Sequence, residues 1–207
     1  MSPLPVQREF GPTLPQLVPS RVLAALAVAG AVLVALVLLS GAGESDETPV
    51  VVREPVAFNL RYGPALERVE AMPGEQLRLR GRAQSLTVKS LFLPAYRGET
   101  GGVLPAFAER AIKDLGARYD DFDLADEGRV RINEAPGYGI GFRARVDGKR
   151  VWGRYVMLVP DVPGVRKGVA IEMVAGRPSG VSNATEVGNV GQIKLPYRSF
   201  RFGTEAP

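Results

Sequence analysis

The chain of 207 residues contains no cysteine and no histidine. Lack of cysteine removes disulfides, thiolate nucleophiles, cysteine-held iron–sulfur clusters, thioether-linked haem and the modified cysteine of bacterial lipoproteins. Lack of histidine removes the Ser-His-Asp triad, imidazole acid–base catalysis and ordinary zinc sites. No cofactor is therefore expected. Without cysteine a chain is not thereby cytoplasmic, because a body of about 160 residues has a core large enough to dispense with disulfides. Aromatic residues are few, at 7%, and Trp152 is the sole tryptophan.

What the chain does have is one long apolar run, Val22 to Leu39, free of charge and of hydrogen-bonding side chains. Ser40 to Gly43 extend it. At about 1.5 Å per helical residue, these 22 positions reach about 33 Å, close to the thickness of a bilayer core. Residues 22–43 are expected to form a transmembrane helix. Arg8 and Arg21 precede it, and Glu44, Asp46 and Glu47 follow it. Basic residues stay inside, so the N-terminus is expected in the cytoplasm and the C-terminal domain on the extracytoplasmic side of the cell membrane. A cleaved signal peptide is the alternative, but its apolar region would run about 7 to 15 residues. Residues 1–21, with five prolines, read as an extended cytoplasmic tail, 44–49 as a linker and 50–207 as a domain.

That domain is rich in glycine and proline, which fall between short apolar stretches. Strands and turns are favoured over a helical bundle. Val50 to Tyr62 reads as a strand pair, or one strand interrupted at Pro55. Gln76 to Arg82 alternates Leu77 and Leu79 with arginines, and Leu86 to Leu93 reads as a central strand. Leu104, Phe107, Ala108, Ala111, Ile112 and Leu115 recur at three and four residues, so one amphipathic helix is expected after Gly102, ending near Gly116. Tyr138 to Val159 reads as a hairpin turning at Asp147-Gly148. That turn sets Phe142 against Gly153, Arg143 against Trp152 and Arg145 against Arg150. Tyr138, Ile140, Phe142, Tyr155 and Met157 then share a core face. Gly168 to Val174 supplies another strand, Asn183 to Val187 a short helix, and Ile193 to Phe202 a closing strand or two. The class is α+β: a mainly antiparallel sheet with one principal covering helix.

Two constellations bear on function. On the hairpin's other face Arg143, Arg145, Arg150 and Arg154 surround Trp152. Two arginines directly opposite one another repel, which points away from stability as their purpose. These five residues are the candidate ligand site, a platform for an anionic lipid, a wall polymer or a membrane-protein partner; nucleic acid does not fit an extracytoplasmic domain. The alternative is a solvated face with arginine stems over the indole. The acidic stretch Asp120 to Glu127 lacks calcium-loop spacing. There Phe122 and Leu124 are expected to point inward and the acids to face water. The proline- and glycine-bearing segments Leu93 to Gly98 and Tyr197 to Gly203 are candidates to line a groove.

A strand group, one helix and then an antiparallel run with the strand Gly-Tyr-Gly-Ile-Gly-Phe and an Asp-Gly hairpin resembles the Mog1/PsbP-like fold, over roughly Val56 to Val174. Families of that fold include extracytoplasmic domains of bacterial membrane proteins. The resemblance implies a binding or accessory role more than catalysis. The chain departs from the pattern where a second clear helix is missing near its end. A hydrolase acting on envelope glycans through two carboxylates, and a structural subunit of a membrane complex, are the other readings.

Overall fold

The structure, a computed structural model, describes residues 46–97 and 100–205. The expected tail at 1–21, the expected transmembrane helix at 22–43 and the first two residues of the expected linker, 44 and 45, lie outside the described residues; the last two, Thr48 and Pro49, already belong to the first strand. Among the described residues no helix is long and apolar enough to cross a membrane.

Seven strands form the main sheet, antiparallel throughout, in the order β3-β4-β5-β9-β8-β7-β6. They are β3 (Glu67–Val69), β4 (Glu75–Arg80), β5 (Gln84–Phe92), β6 (Asp120–Ile132), β7 (Ala135–Val146), β8 (Lys149–Leu158) and β9 (Lys167–Gly176). A smaller sheet holds β2 (Phe58–Tyr62) between β1 (Thr48–Val52) and β10 (Arg201–Phe202). Between β5 and β6 runs the helix α1 (Thr100–Arg118), and α2 (Lys194–Ser199) precedes β10. The α+β class and the mainly antiparallel sheet with one principal helix are as expected.

The β7–β8 hairpin adopts the register its turn dictates, with Phe142 opposite Gly153, Arg143 opposite Trp152 and Arg145 opposite Arg150. Asp147 and Gly148 both take positive φ, the conformation a two-residue hairpin turn demands. Ile140, Phe142 and Met157 meet Leu104, Ala108 and Leu115 of α1 in one core. The hairpin's opposite face is a correction to the expectation of a solvated surface. Val156 and Leu158 are fully buried there, in a second core with Leu86, Ile171, Phe58, Leu60 and Phe200. The seven-stranded sheet therefore packs on both faces, against α1 over the β6–β7 part of one and against the small sheet with the C-terminal segment on the other.

Three further expectations are corrected. First, α1 begins at Thr100 and passes through Gly116 to Arg118; the last turn is held because the Tyr119 amide donates to the Leu115 carbonyl at 3.0 Å. Second, the segment after Ile193 forms α2 before β10, where strands alone were expected. Ile193, Pro196, Tyr197 and Phe200 are all buried, and their spacing of three, one and three residues is that of a helical face. Third, Leu124 is 41% exposed, whereas Phe122 packs inward at 5.4 Å from the Phe142 ring. The register of β6 shifts between Asp120 and Asp123 and again between Leu124 and Asp126, and such irregularities re-aim side chains.

Candidate functional site

Helix α1 packs over β6 and β7. On the same face of the sheet, β4, β5 and β9 remain open among the described residues. Strand alternation there places Arg78, Arg80, Ser85, Thr87 and Lys89 on the exposed floor, while Leu77, Leu79, Leu86 and Val88 point into the core behind. The result is a groove made of three adjoining cavities. The first, about 800 Å³, lies between α1 and the end of β5 and is lined by Leu91, Phe92, Leu93, Pro94, Phe107 and Met157, with Arg110 and Asp114 at its mouth. The segment at Leu93 thus does line a groove. Lys89 and Arg118 border both this cavity and the next, which measures about 190 Å³. Arg80, Ser85 and Val174 border the second cavity and the third, another of about 800 Å³ at the turn end of the sheet. Ten basic and four acidic side chains line the whole groove.

Its middle is built around Glu172 on β9, 8% exposed. The Tyr119 hydroxyl donates to Glu172 Oε1 at 2.6 Å, and Arg118 Nη1 donates to both carboxylate oxygens at 3.0 and 3.2 Å. Lys89 Nζ lies 3.5 Å from the same carboxylate and 4.0 Å from that of Glu75. Glu75 in turn accepts two hydrogen bonds from Arg78, at 2.7 and 2.8 Å. Burial pushes the Glu75 carboxyl up, but hydrogen bonds from Arg78 and the Met72 amide, with the charges of Arg78 and Lys89, outweigh it and hold the group below the usual range. Burial, then the charge of Glu172 and the hydrogen bond to it, raises the Tyr119 hydroxyl. Tyr155 is pushed up to about 12, first by burial and then by the same carboxylate.

The five candidate residues on the hairpin do not form one platform. Arg143 donates to Asp123 at 2.6 Å, and Arg145 donates to Asp121 at 2.6 Å and to the Gly148 carbonyl at 2.9 Å. The acidic stretch therefore partly neutralises the arginine face, and Asp126 accepts from the Thr185 hydroxyl at 2.9 Å. Trp152 is half-buried and packs on the core between the sheets; among the described residues no guanidinium stands over its ring. Arg154 donates to the Thr185 carbonyl at 3.1 Å, and its buried Nε has no hydrogen-bond partner among the described residues. Arg145 and Arg150 alone of the five line the groove, at its turn end. There they join Arg80 at the end of β4, Arg82 just after it, Lys149 at the start of β8 and Arg177 just after β9, and nothing local in the chain shows that these four converge. Glu172 and Arg118 carry no local signal either, each being an isolated charge in an apolar strand or at a helix end. Among the described residues no cluster of acidic side chains is arranged to hold a metal ion.

Known structures supply the decisive comparison. The cyanobacterial PsbP of Synechocystis sp. PCC 6803 superposes with a TM-score of 0.51 at 13% identity, covering 79% of this chain and 96% of that one. The domain has the Mog1/PsbP-like fold. LpqN of Mycobacterium tuberculosis, a protein involved in cell envelope biogenesis, superposes equally well at 0.51 and 11% identity, covering 78% of this chain and 91% of its own. The Ran-binding protein Mog1p of Saccharomyces cerevisiae aligns at 0.45 and 9% identity, over 76% of this chain and 96% of that one. No family model and no curated protein matches the sequence. A Mog1/PsbP-like fold is thus recognisable from backbone geometry where sequence identity has faded.

Proposed function

We propose that this is a single-pass membrane protein in which residues 22–43 tether an extracytoplasmic, non-catalytic binding or accessory domain, and that the groove beside α1 receives an anionic envelope partner. The observation that carries the reading is the charge of the groove, ten basic side chains against four acidic. Such an excess, set in a concave wall, attracts and orients anions. The shared fold with LpqN, a protein involved in cell envelope biogenesis, supports an envelope setting. The test is binding of the full chain to anionic liposomes and to isolated wall polymer. Arg145→Glu with Arg150→Glu should abolish it, and unchanged binding would remove the proposal.

A hydrolase working through two carboxylates is the rival, because Glu75 and Glu172 both reach Lys89. Such an enzyme needs one of its pair protonated at working pH. Glu75 is held on the ionised side by Arg78, and Glu172 is committed to Arg118 and Tyr119. Both carboxylates serve as counter-charges, which favours binding over hydrolysis. Release of reducing ends from envelope glycan by the full chain, lost in Glu172→Gln, would reverse that preference.

A further inference from the structure

We propose that the turn end of the groove is a site for an anionic amphiphile, a phosphate-bearing lipid headgroup together with the first carbons of its chains. The inference rests on the anionic-partner reading above and narrows it to one ligand class. Arg80, Arg82, Lys149, Arg150 and Arg177 ring this cavity, and among the described residues none of the five is in an ion pair. Glu67 stands opposite Arg80 in register without pairing with it. Elsewhere Arg78, Arg118, Arg131 and Arg143 are each in an ion pair, whereas among the described residues Arg68, Arg129 and Arg154 stand singly on the sheet; at the turn end the unpaired cations are gathered around one cavity. Asp147 is the one acidic residue of the lining, so cations outnumber it around a cavity of about 800 Å³; they repel one another, and an anion relieves the repulsion. Guanidinium groups present paired donors that match phosphate oxygens.

The walls of the cavity narrow the class further. Val146, Val151, Val174 and Pro178 add apolar surface to the same lining, and Val146 is 38% exposed at the hairpin tip. A free inorganic anion gains nothing from such a lining, and a polyanion needs a track of charge without it. A headgroup with attached methylenes uses both, at about 0.8 kcal/mol for each CH₂ removed from water.

The test is calorimetric titration of the full chain, held in phosphatidylcholine nanodiscs, with dihexanoyl phosphatidic acid. Dihexanoyl phosphatidylcholine, inorganic phosphate and polyglutamate are the comparisons. Dihexanoyl phosphatidic acid should bind at least about tenfold more tightly than any of the three. Arg82→Ser with Arg150→Ser should raise its Kd about tenfold or more, and Val146→Asp should weaken it too. Arg53→Ser, on the loop between β1 and β2, should leave it unchanged, and thermal melts would confirm that each variant is folded. Equal binding of phosphate would reduce the site to an ion site. Equal binding of phosphatidylcholine would make the attraction merely apolar, and equal binding of polyglutamate would favour a polymer. Any of these, or an unchanged Kd in the Arg82/Arg150 variant, overturns the inference. Loss of wall-polymer binding in the Arg145/Arg150 charge reversal, with no binding of phosphatidic acid, would sink this inference and leave the broader reading standing.

Discussion

Phe142 on β7 lies directly across from Gly153 on β8, and its ring occupies the space a side chain at Gly153 would need. A methyl group added at Gly153 would overlap three ring carbons. Phe142 is fully buried and also meets the rings of Tyr119 and Phe122, at 5.1 and 5.4 Å. The glycine thus admits the aromatic cluster on which α1 sits. Gly153→Ala should destabilise the domain by about 1–3 kcal/mol, the usual penalty for overpacking. Denaturant unfolding of the full chain checks it; a stability unchanged within error would show that the ring can move aside.

The Glu172 network ties the end of α1 to β9. Glu172→Gln keeps the shape and removes the charge that Arg118, Lys89 and the Tyr119 hydroxyl share. Because Arg118 is 43% exposed, solvent screens part of the loss. A cost of about 1–3 kcal/mol is expected. Tyr119→Phe should cost less, and the double variant should fall short of the sum of the two. A coupling of about 0.5 kcal/mol or more in that cycle is the signature of direct contact.

Stability should fall at both extremes of pH, for opposite reasons. Glu75 titrates below its ordinary 4.5 in the folded chain, so its contribution is present above pH 4.5 and is lost as pH falls further. Glu75→Gln should flatten that acid limb. Tyr119 and Tyr155 are raised above their ordinary 10.0, Tyr155 to about 12. Their contribution is complete below pH 10 and disappears as pH climbs through the raised values. Ultraviolet absorbance of tyrosinate should therefore rise in two stages, the later one coinciding with unfolding. A single early rise from all six tyrosines would contradict the burial of these two.

Topology is open to a clean test because the chain has no cysteine. Val162, 58% exposed in the loop after β8, tolerates replacement by Cys. A membrane-impermeant maleimide added to intact cells should label Val162→Cys and spare Ser2→Cys until the cells are lysed. The reverse pattern would invert the orientation expected from Arg8 and Arg21.

Much of this domain is written locally in the chain. The Asp147-Gly148 turn and a side-chain period of two suffice to set every pairing of the β7–β8 hairpin. The stripe from Leu104 to Leu115 likewise specifies α1 and the side it buries. What the chain could not show is what each open face would meet. Val156 and Leu158 are covered by Phe58, Leu60 and Phe200 from the two ends of the domain, a contact that no local period encodes. Arg143 and Arg145 were legible as a charged pair, but their partners Asp123 and Asp121 depend on how a long edge strand shifts its register. The unpaired cations of the groove come from three segments far apart in sequence. Backbone period and turn chemistry act over a few residues, so they are readable in one dimension. Charge compensation and the covering of faces act through space, and folding alone decided them.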